Sequence, residues 1–572
     1  MKHLIQTMRP YFPKMSLGIF IKFIGALMDL FLPWILSYLI DEIVPLRNQN
    51  LIFIWGGLMI CCALTALVTN IVANRIAAWV ARNTTEQVRH NLFTKIMHLS
   101  SHQMDEFTIP SLELRLTSDT YNVHRMISMM QRMGIRAPIL LIGGITITLT
   151  LDPILTVILV CILPFIGILV YLVSKKGVPL YRKLQKHSDH MVKVVRENIT
   201  GVRVIKALSK TEYEKERFHK ANDQVVSTEK EAGYTMSLTN PIMNLMLNTG
   251  LTLVILVGAY RVHLGLTQPG KIIAFMSYFT IIMNSMMAVT RIFTMVSRGS
   301  ASAGRIAEIL DAPEDLIVIS EPHVCEEEHI VFDHVNFSYQ KKENNLTDIS
   351  FKLKRGETLG ILGATGSGKS TIINLLMRLY DKDSGEIRIN GQPVESIPAD
   401  QLHTMFGVVF QNDFLIAESV QENIEFGRKL TAEQIEQAAQ SAQATEFIHS
   451  LETKYDHMIA ARGANISGGQ KQRLLIARAL ANHPEVLILD DSSSALDYKT
   501  DANLRKALHE HYSDITTIVI AQRISSIMHS DQILVLDDGE MLGIGTHEEL
   551  MQSCELYRMI ANSQMGGDFD AA

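Results

Sequence analysis

The sequence predicts a membrane α-helical domain with six long transmembrane helices, followed by an α/β domain built on a phosphate-binding loop. Three observations carry this. Long apolar stretches fill the first half of the chain. From residue 330 onward, strand-like and helix-like segments alternate, the pattern of a largely parallel sheet. One loop in that half holds every fixed position of a phosphate cradle. The 572 residues exceed one core. A composition of 47% hydrophobic and 20% charged residues is what a greasy half joined to a polar half averages to. A net charge of -6 is mild and points to no nucleic-acid partner. Of the five cysteines (Cys61, Cys62, Cys161, Cys325 and Cys554), adjacent Cys61 and Cys62 sit in an apolar run, resemble neither a disulfide framework nor a metal site, and read as lipid-facing or packed small hydrophobes.

The membrane half begins with a basic segment, Met1 to Lys14, that carries no acid. No short apolar core and cleavage site follow it, so it reads as a lead-in segment or interfacial helix and not a signal peptide. Roughly 20 apolar residues span a bilayer. Candidate spans lie at 17–40, 51–72, 127–149, 153–173, 238–260 and 272–296. An even number of spans puts both termini on one side. The links at 41–50, 151–152 and 261–270 are short, whereas 82–125 and 175–230 are long and rich in Lys and Arg. The positive-inside rule places those long segments, and both termini, in the cytoplasm. They carry helical polar patterns and are expected to continue the spans as helices. Pro110 and Gly201 interrupt them, which predicts short transverse helices near 110–120 and 198–206. The domain boundaries follow: a membrane domain over 1–310, a linker with Pro313 and Pro322 over 311–328, and a nucleotide domain over 329–572.

Gly363-Ala-Thr365-Gly366-Ser-Gly368-Lys369-Ser370 is the phosphate loop. It follows the apolar strand 358–362 and opens a helix at Thr371. Its glycines let backbone N–H groups curl around phosphate oxygens, and the helix N-terminus adds partial positive charge. Lys369 neutralises the outer phosphates and Ser370 can ligate Mg²⁺. Val486-Leu-Ile-Leu-Asp490 is a buried strand ending in a carboxylate placed for Mg²⁺, and Asp491 follows directly. Ser467-Gly468-Gly469-Gln470 opens another helix and offers a second phosphate surface.

In this order, over nearly its whole length, the chain resembles an ABC exporter half of the type IV fold, with ATP and Mg²⁺ as its cofactors. The resemblance makes Ile466 to Gln470 the signature loop, which caps the ATP of a partner chain. It makes Gln411 the residue touching Mg²⁺ and the membrane domain, Tyr339 the aromatic stacked on adenine, and Asp497 of Ser494-Ala-Leu-Asp497 the D-loop. It makes the two transverse helices coupling helices. Two positions depart from the family pattern. Asp491 stands where Glu usually polarises the attacking water, and Gln522 stands where His usually contacts the γ-phosphate. Asp491 is one methylene shorter, a retreat of about one C–C bond, ~1.5 Å. Gln522 donates a hydrogen bond but carries no charge. Ala461, before the signature, replaces a usual acid and removes one contact expected with the coupling helices.

The same pair of departures marks the degenerate subunit of heterodimeric bacterial multidrug exporters, which this chain resembles most. The resemblance implies a second half-transporter with intact Glu and His. It also implies a multi-pass location in the bacterial plasma membrane among lipids, and small hydrophobic or cationic substrates. Two other readings stand beside it: a slow homodimeric exporter using Asp491 as its base, and a regulatory membrane protein that uses ATP as a clamp without transport. Inside the first span, Asp29 either attracts cationic substrates or protons, or pairs with Arg136 or Arg291 as a bridge. The 28 methionines, several of them near the last two spans (Met243, Met246, Met283, Met295), suit either ordinary packing or a promiscuous pocket.

Overall fold

The computed structural model describes residues 2–313, 316–319, 327–339, 341–492 and 495–565, with backbone alone at 170, 174, 178, 239, 240, 290 and 565. The chain forms two compact units, Met1–Met97 with Pro110–Ala312, and His98–Ile109 with Pro313–Ala572. Parts of the predicted linker (314–315 and 320–326, with Pro322 and Cys325) and Ser494 of the D-loop lie outside the described residues.

Among the described residues, six helices are long and apolar enough to cross a membrane: Lys2–Leu46, Gln49–Met97, Ile109–Leu151, Pro153–Thr200, Thr211–His263 and Pro269–Leu310. They are spans one to six, and each apolar stretch read from the sequence falls inside one of them. At 1.5 Å per residue, span two is roughly 74 Å long, more than twice the ~30 Å hydrocarbon core. Its polar half therefore continues past the membrane. The core of the first unit centres on the fully buried Leu30, Leu155, Phe275, Tyr278 and Phe279. Tyr278 Oη donates to the Leu30 carbonyl at 2.6 Å, which satisfies a hydroxyl where water is absent. Met243 and Met283 sit in this same core. Two links are pinned by carboxylates. Asp152 accepts from the N–H groups of Ile154 (3.0 Å) and Leu155 (3.2 Å) and from Arg261 Nε (3.2 Å). Asp41 accepts from Gly270 N at 2.6 Å, where an added Cβ would stand 2.7 Å from its carboxylate.

A short helix lies ahead of 110–120. It is Ser101–Phe107 (α1), opened by a capping box between Ser100 and Gln103 and closed at Thr108. Residues 110–120 instead start span three. Pro110 sits in the first turn of its helix, where a missing N–H costs nothing. Arg115 Nη1 donates to the Arg305 carbonyl at 2.8 Å, and the buried Asp119 accepts from Arg305 Nε at 2.8 Å, tying this stretch to span six. α1 belongs to the second unit, where Gln103 Nε2 donates to the Pro313 carbonyl at 2.7 Å. A second short helix is Val202–Ala207 (α2); residues 198–200 still belong to span four, and Gly201 separates the two.

Among its described residues the second unit holds two sheets. An antiparallel sheet, not foreseen from the sequence, has the order β2-β1-β4-β5, with β1 Ile330–Phe337, β2 Leu346–Leu353, β4 Ser384–Ile389 and β5 Gln392–Pro393. The other has the order β10-β9-β3-β8-β7-β6, with β3 Thr358–Gly363, β6 Phe406–Val409, β7 Val486–Asp490, β8 Thr516–Ile520, β9 Gln532–Asp537 and β10 Glu540–Gly545. It is parallel except at β10. β7 is buried along its whole length, as a parallel strand covered on both faces should be. The helices that matter for the site are α3 (Lys369–Leu376), α4 (Gly468–Leu480) and α5 (Tyr498–His511).

His329, 2% exposed at the start of this unit, bonds through Nδ1 to Thr516 Oγ1 at 2.6 Å. Burial, helped by the nearby Arg355 charge, pushes its pKa from 6.5 down to about 4. The unfolded imidazole takes up a proton more readily than the folded one. Its contribution is therefore fully present above the ordinary histidine value and is lost as pH falls from there towards 4. The loss amounts to about 3 kcal/mol. Hydrogen-exchange protection of β1 and β8 should fall over that window in the full chain, and His329→Gln should flatten the fall.

Candidate nucleotide site

The strand order assembles the site. β8 lies between β3 and β7, and the register aligns Ile361 with Ile520 and Ile520 with Asp490. The segments leaving these strands carry the phosphate loop, Gln522, and Asp490–Asp491, all at the carboxyl edge where parallel sheets bind ligands. A cavity of about 290 Å³ opens there. Its walls include Tyr339, Thr365, Gly366, Gly368, Lys369 and Ser370, and also Thr371, Gln411, Asp490 and both departure residues, Asp491 and Gln522. Gly363 stands at the base of the loop, where its carbonyl accepts from Lys369 Nζ at 3.0 Å. Gly366 and Gly368 take φ of +91° and +97°, and a Cβ on Gly368 would meet Leu346 at 2.6 Å. Both positions demand glycine.

The donor set fits a nucleoside triphosphate with Mg²⁺. Lys369 also donates to the Ala364 carbonyl at 2.6 Å, so its ammonium lies inside the loop it would share with phosphate. Burial lowers its pKa, while the Asp490 and Asp491 carboxylates counter that. Ser370 Oγ donates to Asp490 Oδ2 at 3.0 Å, placing a hydroxyl and a carboxylate together as a pair of hard oxygen ligands. Burial raises the pKa of Asp490, Ser370 pulls it back, and the neighbouring Asp491 charge adds to the rise. A divalent cation would relieve both effects.

Tyr339 is fixed by its neighbours. Its hydroxyl lies 3.3 Å from Thr371 Oγ1 and accepts from Asn374 Nδ2 at 3.1 Å. Its ring packs edge-on against Phe337 (4.8 Å between centroids) and Tyr380 (5.0 Å). Asn345, a wall residue that accepts from Tyr339 N at 3.0 Å, and Tyr380 were not foreseen, because no motif encloses them. Tyr380 Oη donates to Asp105 Oδ2 on α1 at 2.6 Å, so the aromatic group around Tyr339 touches α1 directly.

Asp491 takes φ +52°, a left-handed conformation that aspartate tolerates better than most residues. Gln522 Nε2 donates to Asp491 Oδ2 at 3.2 Å. The two departures are thus in mutual contact: the short carboxylate accepts from the neutral amide.

The signature residues are absent from the walls of this cavity. Ser467 caps α4, its Oγ accepting from Gln470 N at 3.3 Å while Gln470 Oε1 accepts from Ser467 N at 2.9 Å. Gly468 is exposed and Gly469 partly so. Asp497 caps α5, accepting from Thr500 N (2.9 Å) and Oγ1 (2.8 Å), and those bonds hold its carboxyl below the usual range. Ala461 lies in a short turn whose next residue, Arg462, is left-handed at φ +61°. In the membrane unit, Asp29 Oδ2 accepts from Arg136 Nη2 at 2.7 Å, while Arg291 is exposed. The ion pair open to Asp29 is formed with Arg136.

Comparison with known proteins agrees with this build. Residues 15–286 match the ABC transporter transmembrane region, and residues 346–494 match the ABC transporter domain. The ABC transporter ATP-binding protein YfiB of Bacillus subtilis is 34% identical over 568 residues, covering 99% of both chains. The chain belongs to the ABC transporter family. Another relative, the ABC transporter ATP-binding protein Rv1273c of Mycobacterium tuberculosis, is 31% identical over 576 residues, covering 98% of this chain and 97% of its own. Among solved structures, that of a bacterial Atm1-family ABC exporter with ATP bound superposes with a TM-score of 0.83. It covers 98% of this chain and 99% of its own at 22% identity, which establishes the type IV exporter fold. With one membrane region and one nucleotide domain fused, this ABC transporter chain is a half-transporter and a multi-pass membrane protein.

Proposed function

We propose that this ABC half-transporter is the degenerate-site subunit of a heterodimeric bacterial exporter. The exporter moves hydrophobic or amphipathic compounds outward across the plasma membrane, with both termini of this chain in the cytoplasm. The observation that carries the reading is the Asp491–Gln522 pair, bonded at 3.2 Å within an otherwise complete nucleotide site. A general base must come within roughly 2.6–3.2 Å of the proton it takes. Asp491 is a methylene short and already accepts from an amide that carries no positive charge. Lys369, Ser370 and Asp490 then hold Mg·ATP for long periods without efficient cleavage. Hydrolysis falls to the partner's phosphate loop, with Ser467, Gly468, Gly469 and Gln470 of this chain capping that nucleotide.

The test is ATP turnover of the purified chain alone and after co-expression with an ABC half that has Glu and His at the matching positions. Near-zero turnover alone and robust turnover together support the asymmetric pair. Robust turnover alone, abolished by Asp491→Asn, overturns it in favour of a slow homodimer.

A further inference from the structure

Between spans one, two, three and six lies a cavity of about 400 Å³ whose walls carry Lys22, Arg132, Arg136 and Asn284. Lys22 is 3% exposed, and its ammonium donates to two neutral amides, Asn70 Oδ1 at 2.8 Å and Asn74 Oδ1 at 3.0 Å. Arg136 uses Nη2 on Asp29 and leaves Nε buried without a hydrogen-bond partner. Arg132, one helical turn earlier on the same face, has its Nε buried and unpartnered as well. Three cations thus share the one carboxylate of Asp29. Such an excess at membrane depth is costly unless a negative group joins it. A second cavity of about 370 Å³ shares Arg132 and Met133 with the first and adds Arg125 and the flexible Met129 and Met295. The two together offer a cationic seat beside an apolar, adaptable wall.

The geometry points to this double cavity as a binding site for an amphipathic anion, with a phosphate or carboxylate head on Arg132 and Arg136 and an acyl-like tail along Met129, Met133 and Met295. As a cargo site it rests on the exporter reading above, and it turns that reading from cations towards anions. The walls of both cavities carry no acid among the described residues, and the Asp29 carboxylate is committed to Arg136. The head group belongs either to an anionic membrane lipid or to a soluble amphiphile.

The experiment measures equilibrium binding of radiolabelled dodecyl phosphate to the full chain with its partner half in neutral phosphatidylcholine nanodiscs, with empty nanodiscs as blank. It needs no ATP turnover, so its failure is separate from failure of the asymmetric ATPase. Charge-assisted hydrogen bonds are the strong ones, and a planar guanidinium suits a phosphate or carboxylate head. Arg132→Gln should therefore weaken binding about tenfold or more, and Arg132→Lys about threefold or less. Asn284→Asp, nearly unchanged in volume, should weaken the anion about tenfold while strengthening dodecyltrimethylammonium; it serves as the second variant if Arg132→Gln does not fold. Competition by added phosphatidylglycerol would assign the site to a lipid head group, and absence of competition to a soluble amphiphile. Dodecyl phosphate binding that is equal in wild type, Arg132→Gln and Asn284→Asp overturns the inference. So does tighter binding of the alkylammonium than of the phosphate by the wild-type protein.

Discussion

In the assembled pair, Asp491→Asn lowers ATP turnover less than about threefold, whereas removing the partner's matching Glu lowers it roughly 10²–10⁴-fold. The asymmetry follows from what each carboxylate can reach. Asp491 is drawn back by one methylene and accepts from Gln522 Nε2 at 3.2 Å, so its loss removes little proton-accepting power. The converse variant sharpens the test: Asp491→Glu with Gln522→His should raise turnover at this chain's own site at least about tenfold, because every other wall residue is in place. A large fall with Asp491→Asn alone, or no gain in the double variant, would contradict the assignment.

Gly468→Asp should abolish hydrolysis by the pair, a loss of roughly 10²–10³-fold, while leaving ATP binding at this chain's own cavity unchanged. An added Cβ at Gly468 meets no heavy atom within 4 Å, so the substitution fits the fold. An acid in the first turn also suits the N-terminus of α4. What changes is the charge of the exposed signature surface, which then repels a triphosphate presented by the partner. Gly469 is a poorer probe, because its Cβ would press to 3.2 Å from the Ala495 carbonyl. Turnover of the pair and nucleotide affinity of the single chain, measured on the same variant, separate the two effects. Unchanged turnover would mean that this signature caps no hydrolysed nucleotide.

Local chemistry made part of this molecule legible in the sequence. The six spans could be read because about 20 consecutive apolar residues have few other uses. The phosphate loop could be read because strand, glycines, lysine and helix must follow in fixed order. Asp491 and Gln522 could be singled out because each sits beside such a marker, at the end of β7 and just after β8. The short helix α1 could not. Pro110 looked like a break, yet a proline in a first turn begins a helix, and the Ser100–Gln103 capping box that marks α1 was the better signal.

Contacts across long stretches of chain were decided only by tertiary structure. Tyr380 and Asn345 join Tyr339 because the strand order folds distant loops together. The Tyr380–Asp105 hydrogen bond links residues 275 positions apart, beyond any local pattern. Asp29 reads as a cation attractor or a bridge in one dimension; helix packing gave it Arg136 and gathered Lys22 and Arg132 around the same cavity. The sequence by itself determined which groups each segment carries, because periodicity and motif spacing are local properties. Which of those groups meet was decided by the packing of four helices that no local pattern encodes.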